Sequence, residues 1–165
     1  LEGVRAHTFS SAKLTNVSIN NKSVSEGIWA AMVVGHFNVP VILITGDNIA
    51  TAETKDFIGD TETAIVKEAY GFHSAKSLTP AASCKLIKAA SAKAVTRIKD
   101  FKPFKVSTPV TMDVSFKNYR PVELLSYLPI VKRIDSHTIR FVGDDIIAAD
   151  DFFIFMMDYN SDLEP

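Results

Sequence analysis

Residues 39–48 are Val-Pro-Val-Ile-Leu-Ile-Thr-Gly-Asp-Asn. Pro40 to Ile44 is a continuous apolar run bounded by Pro and Gly, the pattern of a central strand covered on both faces. Gly46-Asp47-Asn48 ends it, and Asp47 or Asn48 can cap a helix running to about Phe57. The next strand is expected at Thr61 to Val66. Upstream, Thr15 to Asn20 reads as a strand followed by an Asn20-Asn21-Lys22 turn. From Ser23 the period changes: Ile28, Trp29, Met32, Val33 and Phe37 recur at three- and four-residue steps. No charge falls between Glu26 and His36, so this helix should be buried on most sides.

Downstream, Thr79-Pro80 is a helix start, with Thr capping and Pro at the first helical position. Cys84, Ile87, Ala90, Ala94, Ile98 and Phe101 share one face of that helix, while Lys85, Lys88, Lys93 and Arg97 take solvated positions. Phe101 to Pro109, with prolines and alternating lysines, is the best internal linker. Beyond it come a strand at Val110 to Phe116, a short helix near Pro121 to Tyr127, a strand at Thr138 to Val142 and a last helix from about Asp145. Strands alternating with helices give an α/β fold, a mixed β-sheet flanked by helices. There is no internal repeat.

The composition removes several classes of function. At 165 residues one domain is the default, and a net charge of −1 leaves no basic field for nucleic acid or anionic membranes. The single cysteine, Cys84, can form neither an internal disulfide nor a thiolate metal cluster, and is expected to be a small buried apolar residue. No apolar stretch reaches the roughly 18 residues of a membrane helix, and no signal core opens the chain. The expectation is a cytoplasmic protein with no nucleic-acid or membrane partner.

Candidate chemistry concentrates near the N-terminus. Glu26 is the carboxylate that opens an otherwise apolar helix. Ser23-Val24-Ser25-Glu26 matches a capping box, in which Glu26 reaches back to the Ser23 amide; the alternative is a metal ligand on a rigid helix end. His7, beside a Ser/Thr-rich run, could be a general base, a nucleophile or an electrophilic donor, or merely a hydrogen-bonded histidine. His36, His73 and His137 are weaker candidates. Thr45 to Asn48 lies where open α/β sheets bind ligands, though an ordinary N-cap turn has the same sequence. Metalloprotease His-Glu-x-x-His, phosphate-loop and nucleophile-elbow motifs are absent.

Taken together, Gly3 to Thr8, Val17 to Asn20, Val24 to Gly27 and Val39 to Asn48, continued by Val66-Lys67 and Leu78-Thr79-Pro80, resemble the D-aminopeptidase family. This is peptidase family M55, of the dipeptide-operon D-aminopeptidase type. The resemblance implies a zinc-dependent hydrolase that removes N-terminal D-residues from short peptides, with two metal ions held by Asp, Glu and His. It implies that Glu26 is a zinc ligand and that His7 is catalytic, as nucleophile or acid/base group. The other ligands of the family pattern would lie upstream of Leu1. The chain is therefore expected to be the C-terminal portion of a larger metallopeptidase fold.

On that reading residues 1–101 form an α/β segment carrying the partial active site and 102–165 a C-terminal α/β segment, together one compact unit. Alone, the chain would bind zinc weakly and be inactive. The resemblance also implies a homo-oligomer, and Phe152 to Met157, apolar all around its helix, is expected to be mostly buried in a multimer. Two other classes compete. One is a non-catalytic α/β binding or assembly module that retains the scaffold; the other is a nucleotide-type ligand domain using the Gly46-Asp47 turn, disfavoured by the missing glycine loop.

Overall fold

The computed structural model describes residues 3–158. In chain order the elements are β1 (Leu14–Ile19), β2 (Lys22–Ser23), α1 (Glu26–His36), β3 (Leu43–Asp47), α2 (Asn48–Ile58), β4 (Glu62–Gly71), β5 (Ser74–Ser77), α3 (Pro80–Thr96), β6 (Val110–Phe116), α4 (Tyr119–Leu125), β7 (Val131–Arg133), β8 (Thr138–Gly143) and α5 (Ile146–Asp158). The fold is α/β, with its strands divided between two sheets flanked by helices. They belong to two compact units. One comprises residues 3–6 and Phe37–Phe104; the other comprises His7–His36 and residues 105–158.

The first unit holds a three-stranded sheet of order β3-β4-β5, in which β3 and β4 are parallel and β5 is antiparallel. Pro40 to Ile44 is not the central strand its apolar run suggests. The ladder begins only at Leu43, β4 is the one partner of β3 among the described residues, and Asp47 is the one buried residue of the strand. Among the described residues the apolar run is half-buried and β3 lies at the end of its sheet.

Helix α3 opens as expected, with Thr79 Oγ1 accepting from the Ala82 amide at 3.3 Å and Pro80 in the first turn. Its apolar face is more open than its spacing implied. Only Ala94 is buried within the helix, Ile98 is exposed, and Cys84 is exposed rather than packed. The helix is secured at its C-terminal end by charge. Arg97 donates to Glu62, to Asp60 at 2.7 Å and to Asp100 at 3.2 Å, and its guanidinium lies 5.0 Å from the centre of the Phe101 ring. Hydrogen bonds from Lys93 and Arg97 hold the Glu62 carboxyl below its ordinary range.

The second unit holds an antiparallel five-stranded sheet of order β2-β1-β6-β8-β7. The strand β6 alternates strictly: Val110, Met112, Val114 and Phe116 are buried while Thr111, Asp113 and Ser115 are not. On the outer side Asp113 and Arg140 face each other across β6 and β8 in a bidentate pair, both bonds 2.7 Å. The left-handed backbone of Asn20 and Asn21 makes the tight turn between β1 and β2.

Helix α1 packs on α5, and α5 on β6 and β8. Burial of Ile28, Trp29, Ala31, Met32 and Gly35 agrees with the uncharged run between Glu26 and His36. Phe37 does not continue that face: the helix stops at His36, Asn38 is left-handed, and Phe37 is exposed. In α5, Phe152, Phe153 and Met156 are buried, whereas Ile154 and Phe155 are exposed. No helix among the described residues is long and apolar enough to cross a membrane.

Candidate functional site

His7 and Glu26 meet in the second unit. Glu26 is the first residue of α1, and the helix opens with the Trp29 amide donating to the Ser25 carbonyl at 2.9 Å. The capping box therefore does not form. Ser23 belongs to β2, three residues before the helix starts, and the Glu26 carboxylate turns to the 7–9 segment instead. Its Oε1 accepts from the Phe9 amide at 2.8 Å and lies 3.4 Å from His7 Nε2. The helix dipole favours a carboxylate at this end, so the charge suits its place even without the box.

The segment that brings His7 there is tied down at three points. Thr8 Oγ1 donates to the Val24 carbonyl at 2.9 Å, the Phe9 amide binds Glu26, and the Phe9 ring enters an aromatic cluster. That ring stands edge-on to Trp29, with centroids 5.3 Å apart, and 4.4 Å from Phe153. Trp29 is itself held by a 2.6 Å hydrogen bond from Nε1 to Asp150 Oδ1. The His7 and Glu26 side chains are 46% and 45% exposed, so a ligand in solution can reach both.

This arrangement is a donor pair with proton-transfer capability. A catalytic zinc takes three protein ligands, and among the described residues no group of three or more His, Cys, Asp or Glu side chains could hold a metal. His7 and Glu26 alone do not fit the ion.

The other candidates lie elsewhere. Asp47 is a buried structural carboxylate: Oδ1 accepts from Ile49 at 2.9 Å and Ala50 at 2.8 Å, capping α2, and Oδ2 accepts from Val4 at 3.0 Å. Asn48 Oδ1 takes the Ala69 amide of β4 at 2.8 Å. The Gly46-Asp47-Asn48 turn is thus committed to its own unit. Asp47→Ala should cost roughly 2–3 kcal/mol, a lost N-cap plus an unpartnered Val4 amide, and Asp47→Asn roughly 1–2 kcal/mol, because Asn keeps the capping oxygen but turns an NH2 donor toward the Val4 amide. Urea denaturation of the two variants measures the difference, and equal losses would contradict the capping role.

His36 Nδ1 is 3.9 Å from Asp145, whose other oxygen caps α5. His73 Nδ1 is 3.3 Å from the Arg5 guanidinium, and His137 contacts Ser136. Three further residues shape the site, Phe9, Trp29 and Asp150. Trp29 carried a signal, lying one turn beyond Glu26 on the same helix; the left-handed backbone of Phe9 carried none.

A family model for D-aminopeptidases, Peptidase M55, matches residues 1–155. The chain belongs to this D-aminopeptidase family. A D-aminopeptidase of Bacillus subtilis (strain 168) is 28% identical over 132 residues, covering 79% of this chain and 48% of the relative. The chain thus spans about half the length of that curated relative. A solved structure, the Zn-dependent D-aminopeptidase DppA from Bacillus subtilis, is 26% identical with a TM-score of 0.89. It is described as a self-compartmentalizing protease, and the match covers 96% of this chain and 58% of that one.

Proposed function

We propose that this chain is a working part of a zinc-dependent D-aminopeptidase that releases N-terminal D-residues from short peptides. In this reading Glu26 gives one carboxylate oxygen to zinc and His7 is the catalytic histidine. The observation that carries it is the 3.4 Å approach of His7 Nε2 to Glu26 Oε1 in a chain matched by the family along residues 1–155. Oε2, which neither contact uses, is the oxygen open to a metal. The remaining zinc ligands are not among the described residues, and the chain by itself is expected to hold the ion weakly.

His7 handles the proton. Amide hydrolysis adds water to the carbonyl and requires a proton on the departing amine; an imidazole beside a carboxylate can accept the first proton and deliver the second. The same reading includes assembly with copies of itself, supported by the exposed Ile154 and Phe155 of α5 and by the self-compartmentalizing character of DppA.

The ligand role is tested by Glu26→Gln, compared with wild type in zinc-loaded enzyme containing this chain. Gln keeps an acceptor for the Phe9 amide but loses the charge, so zinc affinity should fall by about tenfold or more while stability changes by less than about 1 kcal/mol. Unchanged zinc stoichiometry in the variant would remove Glu26 from the ligand set.

A further inference from the structure

We infer that Phe9 is a positioning residue for the His7–Glu26 pair, its ring acting as a wedge that aims its own backbone amide at the Glu26 carboxylate. The functional weight of this inference rests on the reading of Glu26 and His7 above. Its structural content does not.

Three observations converge on it. First, Phe9 has φ +53°, a left-handed backbone that a bulky side chain adopts only when its surroundings impose it. Second, those surroundings are on both sides of its ring: Phe153 of α5 at 4.4 Å and Trp29 of α1 at 5.3 Å, themselves 5.0 Å apart. Third, the amide fixed by this backbone donates at 2.8 Å to Oε1, the same oxygen that faces His7. The chain of cause runs from Asp150, which holds the Trp29 indole, through the two rings to Phe9 and then to one carboxylate oxygen. With Oε1 occupied by an amide two residues from His7, the carboxylate cannot rotate freely. An unclamped glutamate at a helix end would sample several rotamers.

A rival explanation is that any residue at position 9 makes this hydrogen bond because the loop ends dictate it. The two explanations part at Phe9→Gly. Glycine takes a left-handed φ at no steric cost, so on backbone preference alone it should strengthen the amide contact. With the wedge removed, the contact should weaken instead.

The experiment is amide hydrogen exchange at residue 9, with NMR couplings of the Glu26 γ-protons, on the 165-residue chain without zinc or peptide. In the wild type the amide should be protected and Glu26 should show a single rotamer. Phe9→Tyr should keep both features, with exchange within about threefold of wild type. Phe9→Gly should speed exchange at residue 9 by about tenfold or more and average the Glu26 couplings, while the β6 amides keep their protection.

Phe153→Leu leaves residue 9 intact and removes only the ring against it. It should speed exchange there about fivefold, and it serves if the glycine variant does not fold. A Phe9→Gly chain with full protection and a single Glu26 rotamer overturns the inference, as does a Phe153→Leu chain indistinguishable from wild type. Neither readout involves metal or turnover. A failure of zinc binding in Glu26→Gln and a failure of the wedge are therefore separate results.

Discussion

In zinc-loaded enzyme containing this chain, His7→Ala is expected to lower kcat by about 10²–10⁴-fold, the usual contribution of a positioned proton carrier. Zinc occupancy should be unchanged. His7 approaches the carboxylate through Oε1, the oxygen already engaged by the Phe9 amide, whereas the proposed reading gives Oε2 to the metal. KM should move little, since nothing in the arrangement makes His7 a binding group for the peptide. Steady-state kinetics with elemental analysis of the same preparation measures both quantities. If kcat persists, His7 is only a hydrogen-bonded neighbour. If zinc is lost together with activity, His7 is a ligand and the division of labour is different.

Trp29→Ala should destabilise the protein by roughly 3–5 kcal/mol, the range for deleting a buried aromatic side chain. Trp29 is 5% exposed, contacts the Phe9 and Phe153 rings, and leaves the Asp150 carboxylate without its indole donor when removed. Trp29→Phe restores most of the ring contact and loses only the donor, so about 1–2 kcal/mol is expected. Because Trp29 is the one tryptophan in the chain, far-UV circular dichroism rather than fluorescence must follow the urea transition. A loss below about 1 kcal/mol for the alanine variant would mean that the cluster is not packed as described.

How much of this was legible depended on the range of the interactions involved. Strand β6 is readable because its alternation is complete and one of its faces is buried. The start of α3 is readable because Thr79 and Pro80 act within a single turn. Three strands give no signal in the sequence, β2, β5 and β7, which have two, four and three residues and are too short to show a period. The apolar run at Pro40 looks central because composition reports hydrophobicity, whereas an edge is defined by the number of neighbouring strands. Cys84 looked buried because its face of α3 is apolar, yet an apolar face is covered only if something packs there.

The site shows the same division. The family resemblance singled out His7 and Glu26, 19 positions apart, and they are adjacent in space. The capping-box motif around Glu26 was a local signal overridden by a non-local one. The Phe9 amide, 17 residues away in sequence, competes for the same carboxylate and wins once the helix begins at Glu26 rather than Val24. No local pattern announces a left-handed phenylalanine. It follows from rings contributed by α1 and α5, more than 120 residues apart.

The most direct test of the central claim is hydrolysis of D-Ala-D-Ala against L-Ala-L-Ala by zinc-loaded enzyme containing this chain, with and without chelator. The expected result is release of D-alanine that a chelator abolishes, with the L-dipeptide left largely intact. Equal cleavage of the two stereoisomers, or D-alanine release that survives the removal of metal, would contradict it.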